Sequence, residues 1–266
     1  MEKKVLITYV FSKYDNIERL QDFVNHYKKY ESGISHKLLI CFKLMDDDNL
    51  LKCREILKDI NYFEYIDKTL INDYEFKTME RAVQPYKDYL ILFLISHCQP
   101  NKKDWLKILI SSYEKNSFVG VSGSNESMFT SFKMKKIWKI FYNLNNFFFF
   151  KKNFNKFPNP HIRLPAFLLK QCDYLRFVKN RHYDSKKSAW ITESGKNSMT
   201  AYFKEIGFNI YIVNSDKKKF SLNDMKESET YSYKNQDKVL ISDRHIRNYL
   251  NFDISKKKLV EKRNWG

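Results

Sequence analysis

The 266-residue chain has little glycine or proline, six and five residues, and only four cysteines. Cys41, Cys53, Cys98 and Cys172 lie far apart and form no CxxC pair, which argues against both a disulfide framework and a cysteine-built zinc site. No apolar run is long enough to span a bilayer, and no signal-peptide pattern opens the chain, so the reading places it in a reducing cytoplasm. Scarce Gly, Pro and Ala beside abundant Lys, Asn, Ile, Phe and Tyr is the imprint of an AT-rich genome. That bias accounts for most of the net charge of +17 and pI near 9.5, with a basic active-site face as a supplement. No nucleic-acid-binding module is recognisable, so nucleic acid is not an expected partner.

What the chain does have is a pronounced apolar stretch, DYLILFLISHCQPNKKDW, at 88–105. Residues 89–94 are too few to cross a membrane and too continuously apolar for a one-sided strand; they read as a strand buried on both faces of a parallel sheet. In open α/β sheets ligands sit beyond the carboxyl ends of strands, here at Ile95, Ser96, His97 and Cys98. Pro100 and Asn101 read as a turn opening a helix that lays Trp105, Leu106 and Leu109 on the sheet.

Further strands are predicted at 5–10, 38–42, 62–66, 118–121 and 208–213. Between them come a helix capped by Asp15, with Ile17, Leu20, Phe23, Val24 and Tyr27 at helical spacing and an end near Gly33, and a second opening on Asp46, Asp47 and Asp48. That acidic run reads as helix-start residues favoured by the macrodipole rather than as a metal site. A third helix is predicted over 73–83. Strands alternating with helices imply successive βα units and a doubly wound α/β architecture.

From 128 to 157 the character changes. Trp138, Phe141, Tyr142 and Phe147 to Phe150 are mixed with Lys133, Lys135, Lys136, Lys139, Lys151 and Lys152. Such a segment suits the headgroup region of an anionic membrane; equally, it suits a helix that packs its aromatic side on the sheet and leaves its lysines in water. Residues 159–169, NPHIRLPAFLL, read as a return to the sheet, 171–177 as a short helix, and 190–200, WITESGKNSMT, as a polar loop entering a helix that ends near Gly207. The tail from Ser215 is rich in Lys, Asp and Ser yet ends with Trp265, which a disordered tail would not need.

The order of these pieces resembles a GT-A-type glycosyltransferase of the large inverting family that uses nucleotide sugars. The matching points are the loop after the first strand at 9–12, the polar loop and helix at 72–82, FLISHCQPNKKDWL at 93–106 and FVGVSGS at 118–124. PHIRLPAFLL at 160–169, ESGKNSMT at 193–200 and the closing Trp265–Gly266 resemble a narrower, bacterial polysaccharide-associated branch. The resemblance implies a Rossmann-like, mostly parallel sheet flanked by helices, with 1–125 as the nucleotide-sugar half, 126–214 as the acceptor-side half and 215–266 as a tail packed on the domain. It implies a nucleotide-sugar donor, a polysaccharide or lipid-linked acceptor, and a place in the cytoplasm, peripheral at the inner membrane.

At the strand end where the family carries an acidic metal-binding pair, this chain has Ile95 and His97. His97 could ligate Mn2+ or Mg2+; alternatively a protonated His97 with nearby lysines could stabilise the diphosphate without metal; or donor chemistry has been lost and the protein only binds. Glu193 is the implied general base, in a polar loop before a helix whose Ser194-Gly195-Lys196 start would suit an anion. Tyr9 and Phe11 would flank the nucleotide base and Asp73 would hydrogen-bond base or ribose. Lys77 and Arg81 would meet phosphate, with Ser96 and His97 nearby. His161, Arg163, Lys196 and Asn197 would line the acceptor side. Arg163 is the more telling, because a buried arginine needs a carboxylate or phosphate partner.

Overall fold

The computed structural model describes residues 3–133 and 143–266. It divides into two compact units interleaved along the chain: Met1–Tyr113 with Pro165–Lys186 and Leu240–Arg244, and Glu114–Leu164 with Lys187–Val239 and His245–Gly266.

The first unit is α/β with a mostly parallel sheet. Its elements are β1 (Val5–Ser12), α1 (Ile17–Lys29), β2 (Lys37–Lys43), α2 (Asp47–Leu57), β3 (Phe63–Asp67), α3 (Tyr74–Val83), β4 (Leu90–Ile95) and α4 (Trp105–Ser112). β1 lies between β2 and β4, parallel to both, and β3 is parallel to β2. The strand Ala166–Lys170 runs antiparallel along the other side of β4, pairing Leu94 with Ala166 and Leu90 with Lys170. β1, β2 and β4 are buried nearly throughout, which is why they read as unbroken apolar runs rather than alternating ones.

Helix faces close over this sheet by simple periodicity. Leu20, Phe23 and Val24 give α1 its buried stripe, and Phe23 stacks on Tyr9 of β1 with ring centroids 4.0 Å apart. Asp46 caps α2 by accepting from the Asn49 N–H, with Asp47 and Asp48 in the first turn, as the acidic run implied. α1 is capped by Asn16, not Asp15. Gly33 then turns the chain at φ +76°, and a Cβ there would collide with the Asp104 carboxylate, so this position needs glycine twice over.

In the second unit, Ser117–Gly120 runs parallel to Asn209–Val213, which pairs antiparallel with Lys219–Ser221. A short ladder joins Gly123–Ser124 to His161–Ile162. The helices Met128–Lys133 and Leu144–Asn153 meet through Phe129, Phe132, Phe150 and Phe154, with Phe147, Phe149 and Trp190 packed against them. The aromatic side of the segment packs on neighbouring helices rather than on the sheet as expected, and Phe148 is left exposed; Trp138, Phe141, Tyr142, Lys135, Lys136 and Lys139 lie outside the described residues. The tail is ordered through the helix Ile254–Trp265, and the Trp265 indole N–H donates to the carbonyls of Tyr231 and Ser232.

One expected element is corrected. The expected loop at 190–200 is corrected over its first half, where a helix covers Lys186–Ser194; a turn then enters the expected helix, Met199–Glu205, which starts from Ser198, whose hydroxyl caps Ala201 N–H, and ends just before Gly207. Polar Thr192, Glu193 and Ser194 disguise a helical turn whose neighbours Trp190 and Ile191 pack on the phenylalanine cluster. Among the described residues, no helix is long and apolar enough to cross a membrane.

Candidate functional site

The chain builds β1, β2 and β3 outward on one side, then returns to β4 on the other side of β1. The winding therefore reverses between β1 and β4, and the crevice beyond their carboxyl ends is where a ligand site is expected. Ser12 closes β1; Ser96 and His97 follow β4. Between them stands Asp15. Its carboxylate accepts from the Ser12 N–H at 2.9 Å and hydroxyl at 3.0 Å, from Arg19 Nη1 at 2.7 Å and from the Ser96 hydroxyl at 2.6 Å. One carboxylate thus ties the loop after β1 to the loop after β4.

Arg19 sits at i+4 from Asp15 and is 29% exposed. Its Nη1 is committed to Asp15, and no hydrogen bond from its Nε or Nη2 is found among the described residues. The crevice therefore presents a guanidinium that is oriented but has donors to offer, which is what recognition of an anionic group requires. Asp15 and Arg19 were missed as site residues because a helix cap explained Asp15 well enough. The usable signal was an Asp and an Arg four apart, immediately past the first strand.

Several expected roles do not survive the geometry. Tyr9 and Phe11 were expected to flank a nucleotide base, but both are buried in the core, Tyr9 against Phe23 with its hydroxyl donating to Ser96 O at 2.8 Å. A strand buried on both faces has no exposed ring to offer. Arg81 was expected on phosphate. Instead its Nε and Nη2 donate to Asp67 at 3.0 and 2.5 Å, and its Nη1 and Nη2 to Asp73 at 2.7 and 3.2 Å. Lys43 completes the cluster on Asp73 and on the Thr78 hydroxyl. Two cations and two carboxylates balance, so this group locks the ends of β2 and β3 to α3. Burial opposes the ionised forms of Asp67 and Asp73, but the hydrogen bonds from Arg81, and for Asp73 from Lys43, hold both carboxyls below their usual range.

Asp73, Lys77 and Arg81 do share one face, lining a cleft of about 410 Å3 with Glu80, His182 and Asp184. Lys77 is paired there with Glu80 at 2.5 Å, so the cleft offers an anion little uncompensated charge. Nearer the crevice, Glu75 on α3 is half-buried, and burial followed by the Asp15 charge pushes its carboxyl up.

His97 is pushed down to about 4, by burial first and by the Arg19 charge second, so its imidazole is neutral near pH 7. A protonated His97 facing a diphosphate would therefore need the anion itself to raise that value. The residues present do not fit a divalent cation. Ile95 has no donor atom, Asp15 is fully engaged, and no group of three His, Cys, Asp or Glu is arranged for a metal among the described residues.

The second unit holds the other expected residues. Glu193 lies in the last turn of its helix, half-buried, with Oε1 accepting from the Leu164 N–H at 3.3 Å. Ser194 therefore closes a helix and Gly195 and Lys196 follow its C-terminus, which favours cations, so the anion-binding start is corrected. Lys196 and Asn197 are exposed in the turn between two helices. His161 is enclosed with Nδ1 2.8 Å from Asn159 O, and burial pushes it down to about 4. Arg163 is buried with its guanidinium 3.8 Å above the Tyr231 ring, and its Nη1 donates to the Ser122 hydroxyl at 3.2 Å. The Tyr231 ring and the Ser122 hydroxyl are thus two of the groups that hold this buried arginine in place.

No family model matches the chain, and no curated protein matches it. Among solved structures it is similar to the S. aureus TarS structure, at 15% identity and TM-score 0.46 over 81% of this chain and 59% of that one. It is also similar to the bifunctional glycosyltransferase WbbM, at 7% identity and TM-score 0.45 over 72% and 37%. A third is a putative nucleotide-diphospho-sugar transferase from Desulfovibrio desulfuricans, at 13% identity and TM-score 0.35 over 44% and 58%. The chain spans between about a third and three fifths of the length of these structures, and likenesses this distant leave the functional reading to the site itself.

Proposed function

We propose that the chain is a GT-A-type glycosyltransferase whose first unit binds the diphosphate of a nucleotide sugar in the crevice between β1 and β4. The observation that carries this is Arg19, fixed by Asp15 at the point where the sheet's winding reverses and left with donors for an anion. The sequence motifs in family order support it. In the transfer, the acceptor hydroxyl oxygen bonds to the anomeric carbon as the bond from that carbon to the phosphate oxygen breaks, and the nucleoside diphosphate leaves. Arg19 would hold the departing phosphate. Taken by itself, the second unit would supply Glu193 as the base for an acceptor hydroxyl, with Lys196 and Asn197 toward a polysaccharide or lipid-linked glycan, and a single displacement opposite the leaving phosphate would invert the anomeric carbon.

A thermal-shift series with uridine, guanosine, cytidine and adenosine diphosphates, with and without manganese, tests the donor site. One nucleotide should raise the unfolding midpoint, and Arg19→Met should abolish the rise. No stabilisation by any of them would end the proposal. Glu193→Gln should retain that stabilisation and lose sugar transfer.

A second reading, a glycosyltransferase-like protein that binds but does not turn over, is favoured by Ile95 and neutral His97 standing where an acidic pair is expected. Sugar transfer by the purified chain would exclude it.

A further inference from the structure

The helix Leu144–Asn153, LNNFFFFKKN, contains no acidic residue. Phe150 is buried and Phe147 and Phe149 pack into the aromatic cluster, yet Phe148 is 62% exposed and Leu144 is 48% exposed. These two stand at i and i+4, so they share one face, and Lys151 at i+7 falls on that same stripe with Lys152 beside it. Asn145, Lys151 and Lys152 are also exposed. The outward stripe is therefore apolar at its N-terminal end and cationic at its C-terminal end.

Surrounding side chains extend the positive charge. Lys133 holds its ammonium 4.7 Å from the Phe129 ring centroid and Lys187 holds its own 4.6 Å from that of Phe149, so both rim the aromatic cluster. Lys196 reaches the Lys151 carbonyl at 3.5 Å. Two lysines thus lie on the helix that carries the two exposed apolar side chains, two more rim the aromatic cluster beneath it and one reaches its C-terminal end. A solvated face has no use for an exposed phenylalanine beside leucine, whereas an interfacial helix seats such residues at the acyl boundary and its lysines among anionic headgroups.

We propose that this stripe docks the protein on the surface of an anionic lipid bilayer, with Leu144 and Phe148 entering the interface and Lys133, Lys151, Lys152, Lys187 and Lys196 facing the headgroups. The proposal does not rest on the glycosyltransferase reading: an anionic surface would recognise the stripe whatever the β1–β4 crevice binds.

The test is co-sedimentation of the whole protein with vesicles of phosphatidylcholine and phosphatidylglycerol in equal parts, against vesicles of phosphatidylcholine alone. Binding to the anionic vesicles, weakened by salt, is expected, with little binding to the neutral ones. Lys151→Glu with Lys152→Glu should lower partitioning at least about 30-fold, from two lysines removed at an anionic surface, and Phe148→Ser should lower it about tenfold or more. Asn145→Asp adds a negative charge to the stripe without touching the packed rings and guards against misfolding of the other variants. Absence of binding to anionic vesicles would overturn the proposal, as would binding that none of these variants weakens. Concentration-dependent self-association abolished by Phe148→Ser, without vesicle binding, would assign the stripe to a second copy instead.

Discussion

Replacing Lys43 by methionine tests whether the buried charge cluster holds the carboxyl edge of the first unit's sheet. The Lys43 side chain is 2% exposed; it donates to Asp73 and to the Thr78 hydroxyl, and its ammonium lies 3.8 Å from Asp67. Methionine keeps most of the volume and removes the charge, leaving Asp67 and Asp73 to share Arg81 alone. Breaking a buried pair from one side costs about 3–5 kcal/mol. Arg81 still contacts both carboxylates and the Asp73 side chain is 17% exposed, so the lower end applies, about 3 kcal/mol. For a protein of this size that corresponds to a fall in Tm of roughly 6–12 °C. Calorimetry of the variant and of the Lys43→Met, Asp73→Asn double variant provides the assay. Because the second change restores one carboxylate to one guanidinium, the double variant should be more stable than the sum of the single effects, by about 1–2 kcal/mol. A Lys43→Met midpoint within about 2 °C of the parent would show that the cluster behaves like a surface ion pair and refute the reasoning.

Acid stability follows from the same carboxylates. Asp67 and Asp73 have folded pKa values below their unfolded ones, so their contribution is complete above the usual carboxylate range and disappears as pH falls through the lowered values; acid titration by circular dichroism should show stability dropping below about pH 4. His97 and His161 act in a higher window. Each is pushed down to about 4, so folding excludes a proton that the unfolded chain binds, and stability should decline from about pH 6.5 downward; His161→Gln should flatten that limb in denaturant titrations. Gly123→Ala should destabilise by about 1–3 kcal/mol in urea unfolding, because its Cβ would meet the Met225 sulfur and lie 2.6 Å from Ile212 Cδ1. Asp15→Asn should weaken nucleotide stabilisation without preventing folding, since it loosens Arg19 and Ser96 at a half-buried site; an unchanged nucleotide-dependent shift would show that Asp15 does not orient Arg19.

The first unit's framework was legible because its strands are buried on both faces, and continuous apolar runs such as LILFLI at β4 admit few other readings. Asp46 capping α2 was equally plain, since a cap needs only its own few residues. The site was harder. Whether Arg81 of α3 meets phosphate or carboxylate depends on Asp67, fourteen residues earlier at the end of β3, a pairing that no local spacing announces. Tyr9 illustrates the converse: the residue type suits a nucleotide base, but β1 is covered by α1 and the ring has nowhere to face except Phe23. The stretch around Glu193 misled because its polar residues satisfy a loop pattern, while what makes it helical is the packing of Trp190 and Ile191 on phenylalanines more than thirty residues earlier.

The interleaving of the two units has a practical consequence for anyone dissecting the protein. A fragment stopped after Tyr113 would retain β4 but lose its antiparallel neighbour Ala166–Lys170, along with Phe167 and Tyr174, whose rings lie 4.8 and 4.2 Å from Phe93. Such a half would expose a bare sheet edge and an uncovered aromatic surface, so it should aggregate on expression. Splitting experiments therefore need circular permutation or co-expression of complementary pieces rather than a single cut.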